Sequence, residues 1–301
     1  ENQIKAVRSF ISQRVDYIVI SPVVETGWQV VLEEAREAGI PVILMDRGVS
    51  VPDKSLYTTQ VGSDFVGEGK KAGCWLENDL IKKGQSEETI NIVMLKGTRG
   101  STAQIGRTTG FNTIAGEHPN WRILGQEYGE FTSAKGKEVM EMFLEKYPEI
   151  DVVVSQNDDM TMGALEAIHE AGKTTGIDGD IIVISFDAVK EGLELVKEGI
   201  INVDIECNPN QGEYISDILK RLEAGQEVEI YYYLLSVKNE RNGWKQYRIA
   251  VYEKNNDMPA NSCTYIVSGL KKLTNLFYLQ LIIMTILGML DTRFHCKKLN
   301  G

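Results

Sequence analysis

The sequence predicts an α/β protein with two doubly wound parallel-sheet lobes, and three observations support this fold class. Short apolar runs alternate with amphipathic helical segments up to about residue 228, a pattern typical of parallel sheets covered by helices on both faces. The 301 residues are enough for about two domains at roughly 100–200 residues each. The strand and helix units also form two groups of similar length, divided between Leu95 and Gly97.

Helices are predicted where apolar residues recur at spacings of three and four. Ile4, Val7 and Ile11 form such a stripe near the amino terminus, and the second helix ends at Gly39, a residue typical of helix C-termini. After the first helix, the predicted helices cover residues 26–37, 64–81, 101–115, 133–146, 160–171, 189–198 and 211–224.

Strands are predicted where short runs of β-branched and other apolar residues lie between the helices. Pro41, for example, directly precedes the run Val42 to Met45. The predicted strands cover residues 17–21, 42–45, 91–95, 122–126, 151–155, 181–185 and 202–205.

Charge divides the chain into two parts. The net charge of −11 argues against a nucleic-acid partner, because neutralising phosphates needs a basic surface. Residues 1–230 have a net charge of −17, whereas residues 231–301 have +6. We therefore predict an N-terminal lobe at 1–96, completed by about 207–230, a C-terminal lobe at 97–206, and an atypical tail at 231–301.

Polar residues follow most of the predicted strands. In open parallel sheets, ligands bind at the carboxyl ends of the strands, so these residues are candidates for a site in a cleft between the lobes. They are Ser21-Pro22, Asp46-Arg47, Lys96-Gly97, Asn157 to Asp159, Phe186-Asp187 and Glu206.

The residue types at these strand ends suit a ligand rich in hydroxyl groups. Arg47 offers a planar set of donors, the carboxylates are acceptors, and Asn157 both donates and accepts. Phe131 and Trp28 could each present an aromatic face to the C–H side of a sugar ring, or could instead pack in the core.

Enzymatic readings are weak, and we predict no catalytic residue, cofactor or metal site. The sequence has no GxSxG, Walker or HExxH motif, and its four cysteines lie far apart. Gly67, Gly69 and Gly73 have the spacing GxGxxxG inside a helical pattern, which favours helix packing over dinucleotide binding.

Several motifs together resemble the type I periplasmic sugar-binding proteins of ABC transporters, over about residues 1–228. The resemblance is strongest to the galactofuranose-binding branch, and ribose-binding protein is a more distant relative. The motifs are Glu1 to Phe10, Pro22 to Trp28, Asp46-Arg47, Gly106-Arg107, Gly110-Phe111, Phe131 to Gly136, Asn157 to Met160 and Phe186-Asp187.

The resemblance implies a two-lobed receptor that closes by a hinge on one monosaccharide and delivers it to a membrane permease. It further implies an extracytoplasmic protein, either periplasmic or lipid-anchored at the outer face of the cell membrane. Any membrane contact would then be made through the permease or such an anchor. The implied sugar-binding residues are Asp46, Arg47, Arg107, Phe131, Asn157, Asp187 and Glu206.

Two departures from the family accompany this resemblance. The family's first strand would precede Glu1, so we expect the N-terminal lobe to be incomplete, with the first strand missing and its two neighbours unpaired. The family's final strands are replaced from about residue 231 by a basic stretch, which we interpret as a frameshifted or fused tail. Within it, Leu276 to Leu290 is an apolar run shorter than the roughly 20 residues of a membrane-spanning helix.

Two other functions remain open from the sequence. The same fold serves as the sugar effector-binding core of LacI-type transcription regulators, which a helix-turn-helix before the core would indicate. It also serves as the sugar-sensing domain of membrane receptors, for which Leu276 to Leu290 would have to enter the membrane.

Overall fold

A computed structural model describes residues 1–234 and two short strands at residues 238–239 and 250–251. In this part of the chain, helices and strands alternate as the sequence predicts. The helices are α1 Asn2–Gln13, α2 Gln29–Glu37, α3 Phe65–Lys83, α4 Thr102–Ala115, α5 Ser133–Lys146, α6 Asp158–Glu170, α7 Lys190–Glu198 and α8 Gly212–Glu223. The strands are β1 Ile18–Ile20, β2 Val42–Asp46, β3 Thr59–Ser63, β4 Ile90–Lys96, β5 Trp121–Tyr128, β6 Val152–Ser155, β7 Ile182–Asp187, β8 Val203–Glu206, β9 Tyr231–Leu234, β10 Lys238–Asn239 and β11 Ala250–Val251.

The first sheet has the strand order β1-β2-β3-β9-β11. Its first four strands are parallel, and β11 is antiparallel to β9. Helices α1 and α2 pack on one face, where Val7 and Leu32 contact the sheet residue Leu44 in one core cluster. Helix α8 covers the other face, where Ile218 packs with Ile43.

The second sheet has the strand order β10-β8-β7-β6-β4-β5. All its pairs are parallel except β10 with β8. Alternate residues of β4 point to opposite faces: Ile92 and Met94 pack under α3 and α4, whereas Val93 and Leu95 pack under α5, α6 and α7. The α/β fold with two doubly wound parallel sheets is therefore confirmed.

The predicted end of the N-terminal lobe at residue 96 is wrong. Strand β4 lies inside the second sheet, between β6 and β5, and α3 before it packs on that sheet through Leu76 and Leu80. The chain thus passes from the first sheet to the second at Ser63 and Asp64, about 30 residues earlier than predicted. It returns after Glu206, close to the predicted position.

Three strands of the first sheet, β3, β9 and β11, are absent from the prediction. Strand β3 has the polar sequence TQVGS, which lacks a continuous apolar run. Strand β9 begins at Tyr231, so the first residues of the predicted tail belong to the sheet. Tyr232 is buried there beside Val61, because β9 runs parallel to β3.

The unpaired neighbours expected in the N-terminal lobe are not observed. Strand β1 pairs directly with β2, from Ile18 opposite Val42 to Ile20 opposite Leu44. These two strands are therefore adjacent in the sheet instead of leaving a gap between them.

Gly69 and Gly73 of α3 face α4 and serve helix packing, as predicted, whereas a Cβ atom on Gly67 would meet the side chain of Asp64, the residue before α3. A Cβ atom on Gly69 would stand 2.3 Å from the backbone oxygen of Arg107, and one on Gly110 would stand 2.1 Å from that of Val66. Helices α3 and α4 can approach this closely only because both positions lack a side chain.

None of the helices in the described residues is both long and apolar enough to span a membrane. Apart from β9, β10 and β11, the predicted tail lies outside the described residues, and so does its run Leu276 to Leu290. The interpretation of that tail as frameshifted or fused stays a prediction.

Candidate binding cleft

A cleft of about 690 Å³ opens at the carboxyl ends of the strands of both sheets. All seven residues singled out from the sequence line this cleft: Asp46, Arg47, Arg107, Phe131, Asn157, Asp187 and Glu206. The first sheet supplies Asp46, which ends β2, and Arg47, which follows it. The elements of the second sheet supply the other five.

Arg107 lies at the inner wall of the cleft and is almost fully buried. Its Nε donates to Glu68 at 2.9 Å, and its Nη2 donates to Asp187 at 2.8 Å. Its Nη1 donates to the backbone oxygen of Gln156. The guanidinium group therefore links Glu68 of α3, the backbone directly after β6 and Asp187 at the end of β7.

Burial and charge act against each other around Arg107. Burial disfavours its charged form, but the carboxylates of Glu68 and Asp187 raise its pKa above the usual value. Burial raises the pKa of Glu68 to about 7, even though Arg107 lowers it. Burial also lowers the pKa of Lys71, and Glu68 opposes that change. The wall is thus a low-dielectric ionic network, in which removing one partner leaves another uncompensated.

The wall formed by the first sheet presents Asp46 and Arg47, and the ring of Phe131, from the loop after β5 of the second sheet, lies against Arg47. The Arg47 Nε lies 3.6 Å from the Asp46 carboxylate, and its guanidinium carbon lies 5.3 Å from the centre of the Phe131 ring. Burial raises the pKa of Asp46, and Arg47 partly offsets the change. The ring of Phe131 occupies the space that a side chain at Gly97 would take, since a Cβ there would stand 1.9 Å from Cζ.

Asn157 and Glu206 complete the polar lining from the second sheet. Asn157 Oδ1 accepts from the amide of Met160 at the start of α6, so its amino group is the end available to the cleft. Glu206 is buried and ends β8. The cleft therefore offers arginine and amide donors opposite carboxylate acceptors, with one aromatic face beside them.

Backbone strain concentrates at this cleft. Among the described residues, six non-glycine residues have φ between 55° and 103°. Five of them lie at the ends of β2 and β7 or in the loops after β5 and β7: Asp46, Glu130, Phe131, Asp187 and Ala188. Four of these line the cleft, and Glu130 directly precedes one of them, Phe131. Left-handed conformations of this kind persist where the surrounding structure holds them, and they are frequent in ligand sites.

The cleft also contains residues that the sequence analysis missed. The loop after β8 lines it with Cys207 and Gln211, and the Gln211 Oε1 accepts from the amide of Asp46 at 2.7 Å. The polar run after Glu206 could have indicated this loop. Trp28, the other aromatic candidate, is a core residue with 3% exposure, and its Nε1 donates to the backbone oxygen of Val24.

Comparison with known proteins adds independent support for the fold. The model of the periplasmic binding protein domain matches residues 1–227. The galactofuranose-binding protein YtfQ of Escherichia coli is 44% identical over 224 residues, which cover 73% of this chain and 68% of that protein. A ribose import binding protein of Bacillus subtilis is 31% identical over 228 residues, covering 75% and 69% of the two chains.

Solved structures resemble the chain to a similar degree. A protein from Mycobacterium smegmatis in complex with β-D-fucofuranose is 43% identical, with a TM-score of 0.75 over 79% of this chain and 77% of that one. The binding component of an arabinose ABC transporter from Shewanella, bound to α- and β-L-arabinofuranose, is 42% identical, with a TM-score of 0.74 over 80% and 78%. From the matched domain and these relatives, the chain belongs to the periplasmic binding protein domain family.

Proposed function

We propose that this chain is the substrate-binding component of an ABC-type carbohydrate importer and binds one monosaccharide of the galactofuranose kind. The observation that carries the proposal is the composition of the cleft. Arg47, Arg107 and Asn157 offer donors, Asp46, Asp187 and Glu206 offer acceptors, and Phe131 offers a flat apolar face. Sugar hydroxyls need donors and acceptors together, and the C–H face of a sugar ring packs well on an aromatic ring.

The relatives support a five-membered sugar ring. YtfQ is named for galactofuranose, and the Mycobacterium and Shewanella structures hold fucofuranose and arabinofuranose. The cleft of about 690 Å³ falls within the usual range of small-molecule sites, roughly 300–1,000 Å³.

Hinge closure is the proposed way in which the two lobes hold the sugar. Two connections between the sheets pass side by side at the cleft, where Ser63 Oγ lies 3.4 Å from Cys207 Sγ. Rotation at a few such residues would bring the wall at Asp46 toward the wall at Asp187. The closed form would then deliver the sugar to a membrane permease, outside the cytoplasmic membrane, in the periplasm or from a lipid anchor. The chain would act as a binding protein and not as an enzyme, as the names of its relatives indicate.

Isothermal titration calorimetry tests the proposal with D-galactose, D-fucose and L-arabinose, each of which exchanges between ring forms in water. Methyl β-D-galactofuranoside and methyl β-D-galactopyranoside form a matched pair locked in one ring each. We expect heat from at least one free sugar and no heat from the pyranoside. Absence of heat from all five compounds would refute the proposal.

A pair of variants locates the binding in the cleft. Arg47→Ala removes donors from one wall, so we expect about tenfold or greater weakening for the sugar that binds best. Arg122→Ala removes an exposed arginine on β5 and should leave the affinity unchanged. Equal affinities of the two variants would place the sugar elsewhere.

A further inference from the structure

Two buried carboxyl groups lie beneath the loop that carries Asp187, and neither lines the cleft. Asp158 is the first residue of α6 and Asp204 lies in β8, with exposures of 1% and 0%. Their side chains converge on Gly192 of α7. A Cβ atom on that glycine would stand 2.7 Å from Asp158 Oδ2 and 2.6 Å from Asp204 Oδ2.

Both carboxyl groups bind the backbone of the strained loop. The amide of Ala188 donates to Asp204 Oδ1 at 3.1 Å, and the amide of Val189 donates to Asp158 Oδ2 at 2.8 Å. Asp187 and Ala188 have φ values of 103° and 57°. Because such conformations persist only where neighbours hold them, these two hydrogen bonds stabilise the loop that carries a cleft-lining acid.

One oxygen of this arrangement requires a proton. Asp204 Oδ2 is buried and has no hydrogen-bond donor among the described residues. Two ionised carboxylates at one buried place repel each other, so such a pair retains a proton. A proton on Asp204 Oδ2 that points to Asp158 would satisfy this oxygen and remove the repulsion.

The surroundings favour this protonated form. The charged group that faces the pair is Asp187 at the end of β7, and its negative charge disfavours a second ionisation. Strand β7 also contributes Ser185, whose hydroxyl donates to Asp158 Oδ1 at 2.5 Å, and α7 approaches with Gly192, which has no side chain. Burial raises the pKa of Asp158 to about 6, and burial together with Asp158 raises the pKa of Asp204 well above its usual value.

We propose that Asp158 and Asp204 share one proton and are positioning residues, which hold the amides of Ala188 and Val189 and thereby place Asp187 in the cleft. The pair touches no ligand itself. The part of the proposal that concerns sugar affinity rests on the proposed function, whereas the shared proton does not depend on it.

The pair has a defined pH dependence. Because the folded-state pKa values are raised, its favourable contribution is complete at low pH and is lost as the pH rises through those values. Both carboxyls are then charged, the loop loosens, and the thermal unfolding midpoint and the sugar affinity decrease together.

Asp204→Asn is the decisive variant, since the amide can donate to Asp158 at every pH and its oxygen can still accept from Ala188. We expect the variant to bind D-galactose within about threefold of the wild type at pH 6. Between pH 6 and 8.5 its affinity and unfolding midpoint should decrease less than those of the wild type. Asp204→Leu removes donor and acceptor together, and we expect at least about tenfold weaker binding.

Controls separate this titration from others. Glu68, with its pKa of about 7, also titrates between pH 6 and 8.5. The wild type and Asp204→Asn are therefore compared a second time with Glu68→Gln present in both. Asp217→Asn makes the same chemical change at an exposed position of α8. Its affinity and unfolding midpoint should depend on pH as those of the wild type do.

The two proposals fail in distinguishable ways. If no sugar binds but the ligand-free unfolding midpoints of wild type and Asp204→Asn differ as expected, the proposed function fails and the shared proton stands. Identical pH slopes of the two chains would overturn the shared proton. If the variant does not fold, carbon NMR titration of the wild-type carboxyls decides instead: one of the two must keep its proton at pH values where exposed carboxyls are ionised, and ordinary titration of both would overturn the proposal.

Discussion

Arg107 makes three hydrogen bonds at the inner wall of the cleft. It joins Glu68 of α3 to Asp187 of β7 and lies 5.0 Å from the centre of the Phe186 ring. Strand-end reasoning did not reach Arg107, because it lies within α4, and only the family resemblance indicated it. Glu68 escaped both arguments, since a charged residue within an amphipathic helix has the pattern of an exposed one.

Replacement of Arg107 tests the buried network. Arg107→Met leaves the buried charge of Glu68 without its partner, so we expect the free energy of unfolding to fall by about 3–5 kcal/mol. Adding Glu68→Gln removes that charge and should recover part of the loss. Chemical denaturation of the two single variants and the double variant measures the coupling. Strictly additive losses would show that the two side chains do not depend on each other.

The close packing of α3 on α4 brings Glu68 of α3 next to Arg107 of α4. Gly69→Ala would drive a methyl group into the backbone oxygen of Arg107, and we expect a loss of about 1–3 kcal/mol in unfolding free energy. Gly212→Ala is the matched control, because a Cβ there has no atom within 4 Å. Thermal or chemical unfolding compares the two. Equal stability of the two variants would contradict the packing argument.

Elements were predictable where hydrophobic periodicity was strong. The apolar run of β4 and the stripe of α1 gave correct elements, whereas the polar strand β3 gave no signal. Strand β9 was missed for a different reason. It begins where the sequence departs from the family pattern, and the burial of Tyr232 depends on β3, a neighbour about 170 residues away in sequence.

Which sheet a strand joins depends on packing across the whole molecule and could not be predicted from the order of the strands along the chain. Strand β4 follows β3 along the chain yet joins the other sheet, because α3 packs against α4 and not against the first sheet. The seven residues predicted from the sequence nevertheless line one cleft, since parallel strands bring their carboxyl ends to one edge whichever sheet they join. The buried acids behind the cleft lining, Glu68, Asp158 and Asp204, could not be predicted from local sequence patterns.

A crystal structure of the chain grown with D-galactose shows directly whether both sheets contact the sugar. We expect a single sugar in its five-membered ring form within the cleft, with one face on Phe131. Its hydroxyls should contact Asp46 or Arg47 from the first sheet and Arg107, Asn157 or Asp187 from the second. A sugar bound outside the cleft, or contacted by residues of one sheet alone, would contradict it.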